Sequence, residues 1–295
     1  MTSVLVFPGL GCQRPGMGAS LFDRYPAMVE QADEILGYSL RTLCAGDPER
    51  PLSCLRYAQP AVFAVNAMAG RQWVETRGVE PRCALGYSLG EFNALVAAHA
   101  LSFRDALALV VQRARLTSSI DGGMAAVTGL TVGEIRTCLH WRFIDGLDIA
   151  AVNAQREVIL AGPRIQLSIA TAALQAVGAD RVIPLRVSVP FHSRYMSEPA
   201  ERFAKALKRV ALKKPDFPVV ANRTARPHRS NGMFAHLSAQ VADTVLWADS
   251  LKYVATRYPD CDFQEVGGAG TLVTVDRHGR LAQPGAPLVT PVRWE

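Results

Sequence analysis

Gly86-Tyr87-Ser88-Leu89-Gly90 is the stretch that decides the fold, because a G-x-S-x-G pattern between two apolar segments is typical of a nucleophile elbow. Cys83-Ala84-Leu85 can end a buried strand, and residues 91–98 combine helix formers with apolar side chains at helical spacing. Glycines permit a sharp turn that exposes the serine hydroxyl, where a helix N-terminus and the Leu89 amide can stabilise an oxyanion. A purely structural glycine-rich turn also fits so short a pattern, so both interpretations stay open.

The composition is typical of a globular enzyme. The chain has 295 residues, of which 49% are hydrophobic and 20% charged, enough for a large core and two folding units. The first apolar run ends at Pro8-Gly9, too early for the core of a signal peptide, and no apolar run approaches the length of a bilayer span. We therefore expect a cytoplasmic protein that does not enter a membrane.

The charged residues and the cysteines exclude several classes of function. The net charge of +6 comes from dispersed Arg and Lys, without the basic face and interleaved aromatic residues that nucleic-acid binding requires. A basic patch could instead dock an acidic carrier protein or the phosphates of coenzyme A. The six cysteines lack C-x-x-C or Cys/His ligand spacing, so we expect buried free thiols and no metal site.

The order of strand-like and helical segments predicts two units. Up to residue 118, apolar strands alternate with helices predicted at 25–35, 59–76 and 103–118, which favours an α/β fold with a largely parallel sheet. From Gly123 the segments become shorter and follow a β-α-β-β-α-β order, which is typical of a ferredoxin-like arrangement. The last strand of this unit is predicted at 182–187.

A serine nucleophile needs a base, which makes the histidines candidates. His192 follows the last predicted strand of the small unit and precedes a helical segment, where the chain returns to the large unit. A loop between two units can hold an imidazole in a cleft with its pKa near the ordinary value. His99 is expected to pack or cap at a helix end. Polar, turn-like surroundings predict surface positions for His140, His228, His236 and His278.

Further sequence blocks extend the elbow motif over nearly the whole chain. They are Phe7-Pro8-Gly9-Leu10-Gly11-Cys12-Gln13, Tyr57-Ala58-Gln59-Pro60-Ala61, Gly123-Met124-Ala125-Ala126-Val127, Phe191-His192-Ser193, Asn222-Arg223-Thr224-Ala225-Arg226-Pro227 and Glu265-Val266-Gly267-Gly268. In order and spacing the chain resembles the malonyl-CoA:acyl-carrier-protein transacylase family. Leu21-Phe22-Asp23 and His192-Ser193-Arg194-Tyr195-Met196 add a resemblance to the free-standing acyltransferases of trans-acyltransferase polyketide synthases.

The resemblance implies a division of the chain into two domains. Residues 1–122 and 192–295 would form an α/β-hydrolase-like large catalytic domain with a parallel sheet. Residues 123–191 would form an inserted ferredoxin-like small subdomain.

The resemblance also implies a reaction, ping-pong acyl transfer. Ser88 would attack a thioester carbonyl, form an acyl-enzyme and release coenzyme A, and the phosphopantetheine thiol of a carrier protein would then take the acyl group. His192 would serve as the base in both steps, with its other ring nitrogen held by the backbone carbonyl of Gln240. The backbone amides of Leu10 and Leu89 would form the oxyanion hole.

Substrate binding is implied in the same way. Arg113 matches the family arginine that pairs with the malonyl carboxylate, which a bidentate guanidinium suits; the residues alone equally allow a helix-surface arginine like Arg115. The other residues implied to bind substrate are Gln59, Tyr87, Asn153 and Phe191. No bound cofactor is implied, since the coenzyme A thioester is a substrate and phosphopantetheine belongs to the partner. The partners implied are acyl-CoA, an acyl carrier protein and polyketide synthase modules.

Departures from the family pattern lie near the implied acyl pocket. Tyr87 replaces the usual histidine before the serine, Leu10 replaces glutamine and Cys12 replaces serine. The apolar Leu10 could favour another acyl group, or water as acceptor, as in the proofreading acyl hydrolases of trans-acyltransferase pathways. Arg113 favours malonyl transfer, because a buried guanidinium without a carboxylate is costly. Hydrolysis of acyl groups from carrier proteins stays as the alternative.

A third hypothesis is a catalytically silent protein that uses the fold only to bind a carrier. The intact pair of Ser88 and His192 argues against it. Covalent labelling of Ser88 by an acyl-CoA or a serine reagent would distinguish the two classes.

Overall fold

The computed structural model describes residues 3–268 and 272–273. His278 and the C-terminal part of the predicted large domain lie outside the described residues. The strands are β1 (Ser3–Phe7), β2 (Cys83–Gly86), β3 (Gly123–Thr128), β4 (Asp148–Ala154), β5 (Glu157–Gly162), β6 (Arg181–Pro184), β7 (Val219–Ala221), β8 (Arg226–Pro227) and β9 (Asp262–Glu265).

The helices begin and end close to the predicted positions. They are α1 (Ala19–Arg24), α2 (Pro26–Leu36), α3 (Leu40–Gly46), α4 (Leu55–Arg77), α5 (Gly90–Ala97), α6 (Phe103–Thr117), α7 (Val132–Trp141), α8 (Arg164–Ala176), α9 (Ser197–Leu207), α10 (Met233–Ala239) and α11 (Trp247–Arg257), with a short 3₁₀ helix at Arg194–Met196. Ser102 caps α6 by accepting from the Asp105 amide, and Thr131 and Glu134 form a capping box on α7.

The larger sheet has the order β8-β7-β2-β1-β9. Its pairs are parallel except that of β7 with the edge strand β8. All five residues of β1 are buried, as expected for a central parallel strand covered on both faces. The α/β fold with a parallel sheet is therefore confirmed, and it brings the C-terminal ends of β1, β2 and β7 to one edge.

The smaller sheet has the order β4-β5-β3-β6, and all its pairs are antiparallel. With α7 and α8 packed on one another and on its apolar side chains, this is the predicted ferredoxin-like arrangement. β6 ends at Pro184, whereas the sequence predicted a strand to 187. The Leu185 amide still donates to the Met124 carbonyl of β3 at 2.9 Å, but the chain then turns, since the Val187 amide donates to the Leu185 carbonyl at 2.7 Å.

A continuous apolar cluster joins the two sheets. Val6 and Trp247 share it with Met124 and Ala150 of the smaller sheet. The backbone of Val245 also exchanges two hydrogen bonds of 2.9 Å with β4, to Ala150 and from Val152. The boundaries of the two domains at 122/123 and 191/192 stay a prediction.

The described residues were searched for membrane-spanning helices and for clusters of metal ligands. Within 3–268 and 272–273, no helix is long and apolar enough to cross a bilayer. The same residues hold no group of three or more His, Cys, Asp or Glu placed to bind a metal ion. The six cysteines are free.

Candidate active site

Ser88 lies on a sharp turn between β2 and α5. Its φ of 50° is in the left-handed region that side-chain-bearing residues rarely adopt. The flanking glycines are required by close backbone contacts: a Cβ on Gly86 would lie 1.9 Å from the carbonyl carbon of Gly90, and one on Gly90 would lie 2.2 Å from the Phe7 oxygen. The strand–turn–helix geometry predicted for the motif is therefore present.

His192 faces this serine across the junction of the two sheets. Its Nε2 lies 2.7 Å from Ser88 Oγ. Its Nδ1 lies 2.9 Å from the Gln240 carbonyl oxygen and 3.0 Å from that of Asp243. Because carbonyl oxygens only accept, Nδ1 carries the proton, and Nε2 is left to accept from the serine hydroxyl.

The environment of His192 differs from the sequence-based expectation. Burial, assisted by the nearby charge of Arg113, lowers the pKa of His192 from 6.5 to about 4. The expectation of a pKa near the ordinary value is therefore wrong, because the loop is not a solvated cleft: His192 is only 4% exposed. Near neutral pH the imidazole is uncharged and able to accept a proton.

Arg113 is buried beside Ser88, on α6. Nη2 donates to Ser88 Oγ at 3.1 Å, Nη1 donates to Gln59 Oε1, and the guanidinium stacks 5.2 Å from the Phe191 ring centre. Within the described part of the chain, Arg113 forms no salt bridge, and its Nε has no hydrogen-bond partner. Burial lowers the pKa of Arg113 to about 10, so the cation persists at neutral pH.

A short chain of hydrogen bonds fixes the direction of this guanidinium. Gln59 Nε2 donates to Thr117 Oγ1 at 3.2 Å, and Thr117 Oγ1 donates back to the Arg113 carbonyl at 2.8 Å. Gln59, Arg113 and Thr117 are each 2% exposed or less. The predicted residues Gln59 and Phe191 thus contact Arg113 on two sides.

The loop of Leu10 packs directly against the elbow. A Cβ on Gly9 would lie 2.6 Å from the Tyr87 carbonyl oxygen and 3.7 Å from the Leu89 amide nitrogen. Among the described residues, neither the Leu10 nor the Leu89 amide donates to a protein acceptor. Leu89 also stands at the N-terminus of α5, where a partial positive charge favours an anion.

Tyr87 and Asn153 connect the elbow to the smaller sheet. Tyr87 Oη donates to Asn153 Oδ1 at 2.9 Å, and Asn153 Nδ2 donates to Glu157 Oε1 at 2.9 Å. The Tyr87 ring packs edge-on against Trp247 with centres 5.3 Å apart. Burial raises the pKa of Tyr87, so its hydroxyl is a neutral donor. The structure therefore gives both residues contacts across the two sheets.

Sequence reasoning missed a buried polar group behind Ser88. Asn222 accepts from the Ser88 amide at 2.6 Å and donates to the Gly86 carbonyl at 2.6 Å. His228, predicted at the surface, is buried with its Nε2 2.7 Å from Glu91 Oε1. That prediction is wrong because the polar turn folds over α5. Asn222 lies in one of the quoted blocks and Glu91 in the helical segment 91–98, whereas no signal in the sequence points to His228.

Comparison with known proteins was made on sequence and on structure. The family model described as acyl transferase domain matches residues 4–264. A polyketide biosynthesis malonyl CoA-acyl carrier protein transacylase of Bacillus subtilis is 38% identical over 269 residues, covering 90% of this chain and 93% of that protein.

Solved structures agree over most of the chain. A malonyl CoA-acyl carrier protein transacylase from Burkholderia pseudomallei superposes with a TM-score of 0.88 and 36% identity, covering 92% of this chain and 95% of that one. A malonyl-transacylase in complex with a type II polyketide synthase acyl-carrier protein gives a TM-score of 0.85 and 30% identity, with 92% and 90% covered.

Proposed function

This chain belongs to the acyl transferase domain family, and from that membership we propose that it moves a malonyl group from malonyl-CoA to the phosphopantetheine thiol of an acyl carrier protein in polyketide biosynthesis. The names of its relatives support an acyltransferase acting on these partners. The observation that carries the choice of malonyl is Arg113, a buried cation 3.1 Å from Ser88 Oγ that forms no salt bridge among the described residues, although the charge of Glu91 acts on it from a longer distance.

In the first half-reaction Ser88 Oγ attacks the thioester carbonyl carbon. His192 Nε2, 2.7 Å away, takes the hydroxyl proton as the bond forms. The amides of Leu10 and Leu89 donate to the oxyanion of the tetrahedral intermediate. The intermediate collapses by breaking the C–S bond, and His192 returns the proton to the departing thiolate of coenzyme A.

The second half-reaction repeats these steps with a new nucleophile. His192 takes the proton of the carrier's phosphopantetheine thiol, the thiolate attacks the acyl-serine ester, and Ser88 leaves with the proton returned. The carbonyl of Gln240 keeps Nδ1 protonated throughout, so Nε2 alone exchanges the proton. Protein groups supply every step, and the carrier brings its own phosphopantetheine.

Arg113 selects the acyl group. A carboxylate at the far end of a malonyl unit can pair with the guanidinium in a bidentate manner, which offsets the cost of burying the cation. A neutral acetyl group leaves that cost in place. We therefore prefer malonyl transfer to the alternative, hydrolysis of acyl groups on carrier proteins, because a neutral acyl group gives the buried Arg113 no anionic partner.

Intact-mass measurement tests this function. The protein is mixed with malonyl-CoA or acetyl-CoA, with and without an acyl carrier protein. The proposal expects a malonyl adduct on Ser88 that persists without the carrier and moves to the carrier when it is added. Rapid release of free acid from acetyl-carrier, with negligible malonyl transfer, would instead establish the hydrolase.

A further inference from the structure

A buried carboxylate lies directly behind the catalytic pair. Glu91, the second residue of α5, is 1% exposed. Its Oε2 accepts from Gln240 Nε2 at 2.8 Å and from the backbone N–H of Asn222 at 3.4 Å. Its Oε1 accepts from His228 Nε2 at 2.7 Å. Both oxygens are therefore occupied by donors of the protein.

Gln240 joins this carboxylate to both members of the catalytic pair. Its side-chain Nε2 donates to the Ser88 carbonyl at 2.7 Å. Its own backbone carbonyl accepts from His192 Nδ1 at 2.9 Å. One residue therefore fixes the turn that carries the nucleophile and the tautomer of the base, and Glu91 holds that residue in place.

The His228 side chain makes its hydrogen bond to Glu91. Its Nε2 contacts the carboxylate, and its Nδ1 has no partner among the described residues. His236 packs beside it with ring centres 5.6 Å apart, without a hydrogen bond between the rings. The bond to Glu91 is therefore the one side-chain hydrogen bond of this buried imidazole among the described residues, and it is the contact that explains a polar side chain here.

We propose that Glu91 and His228 form a positioning pair for the acyl transfer reaction, holding Gln240 so that Ser88 and His192 stay at hydrogen-bond distance; this rests on the proposed function. Without the His228 donor, Glu91 Oε1 is a buried acceptor that no donor reaches, which is unfavourable. The carboxylate must then rotate or draw in water. Either movement loosens Gln240 and, through it, both halves of the catalytic pair.

Two variants of similar volume separate the donor from packing. His228→Gln can present an amide N–H to Glu91, whereas His228→Met fills the space without a donor. We expect His228→Met to slow the labelling of Ser88 by a fluorophosphonate by about tenfold or more, while His228→Gln stays within about threefold of the unchanged protein. KM for malonyl-CoA should stay unchanged in both variants, because the His228 side chain bonds to Glu91 and not to Arg113, whose contacts are with Gln59, Ser88 and Phe191.

His99→Gln is the matched control. His99 Nδ1 also meets a carboxylate, Asp216, at 2.8 Å, but on the exposed surface. This variant should label at the unchanged rate. Thermal unfolding of every variant shows whether a slow rate reflects a folded protein.

Equal labelling rates for the Gln and Met variants would overturn the proposal. If the Met variant does not fold, Glu91→Gln provides the second test. It replaces one carboxylate oxygen, which accepts a hydrogen bond, by an NH2 group that cannot accept and that lies opposite a donor. A folded Glu91→Gln variant labelled at the unchanged rate would overturn the proposal, and a slower rate with unchanged KM would support it. The reagent carries no malonyl group, so failure of malonyl transfer in the unchanged protein contradicts the proposed function without altering this comparison.

Discussion

Nη2 of Arg113 lies 3.1 Å from Oγ of Ser88, so the buried guanidinium donates a hydrogen bond to the hydroxyl of the proposed nucleophile. A donor to Oγ withdraws electron density from the oxygen that must attack. The same charge helps lower the pKa of His192. A malonyl carboxylate that pairs with Arg113 would weaken both effects, which links acyl recognition to activation of the nucleophile.

Arg113→Ala should separate malonyl from acetyl loading. We expect malonyl loading to fall by about 100-fold or more, since a bidentate ion pair is lost, while acetyl loading stays constant or rises. Intact-mass time courses with malonyl-CoA and acetyl-CoA measure both. Arg115→Ala is the control, because Arg115 is an exposed arginine two residues along α6.

The Arg113 comparison also tests the alternative function. A hydrolase should prefer neutral acyl groups already in the unchanged protein. An equal loss of malonyl and acetyl loading in Arg113→Ala would contradict a role in selecting the acyl group.

Ser88→Ala and His192→Ala should affect one shared route of proton transfer. We expect Ser88→Ala to abolish the acyl-enzyme and His192→Ala to slow both half-reactions by about 1,000-fold or more, with the double variant no worse than Ser88→Ala. Mass spectrometry of the protein and of the carrier follows the two steps. A covalent acyl group at this site in Ser88→Ala would refute the assignment.

The pH dependence of Ser88 labelling should follow His192. The imidazole must be neutral to accept a proton, and its pKa is lowered to about 4, so the rate should stay level down to about pH 5 and fall only through pH 4. Arg113→Ala removes one of the two causes of the lowered pKa, so the fall in rate on the acid side should begin at a higher pH. Burial, the larger cause, remains, so the midpoint of this fall should stay below pH 6.5, the ordinary pKa of histidine. A midpoint near 6.5 in the unchanged protein would show that His192 is solvated.

Tyr87→Phe should weaken the connection between the elbow and β4. The variant loses the 2.9 Å hydrogen bond to Asn153, so the buried Asn153 Oδ1 no longer receives a hydrogen bond from Tyr87. We expect the free energy of unfolding in urea to fall by about 1–2 kcal/mol. Tyr57→Phe is the control, because the Tyr57 hydroxyl makes no hydrogen bond among the described residues. Equal losses in the two variants would contradict a specific role for this bond.

Much of the fold could be predicted because its signals are local. The strand β1 and the helix α6 follow from apolar runs and helical spacing, and the order of elements after Gly123 defines the smaller sheet. The elbow could be placed because its glycines are required by contacts within a few residues and with the adjacent strand β1. Ser88 and His192, predicted as a pair, lie 2.7 Å apart.

The rest depends on contacts between distant segments. Glu91 and His228 are 137 positions apart, and only the tertiary fold shows that the polar turn around His228 covers a buried carboxylate. The pKa of His192 could not be inferred for the same reason, since it depends on how deeply the fold buries the imidazole and on how close it brings the charge of Arg113. A sequence reveals which groups can titrate but not how far each is buried.

Both members of the proposed catalytic pair have left-handed backbone conformations, with φ of 50° at Ser88 and 60° at His192. A β-branched side chain is poorly tolerated there, so threonine cannot readily replace the serine although its hydroxyl has the same chemistry. Cysteine is unbranched at Cβ and meets no such obstacle. Backbone shape therefore biases how this site can change its nucleophile in evolution, because the turn accepts the thiol of cysteine more readily than the second alcohol, threonine.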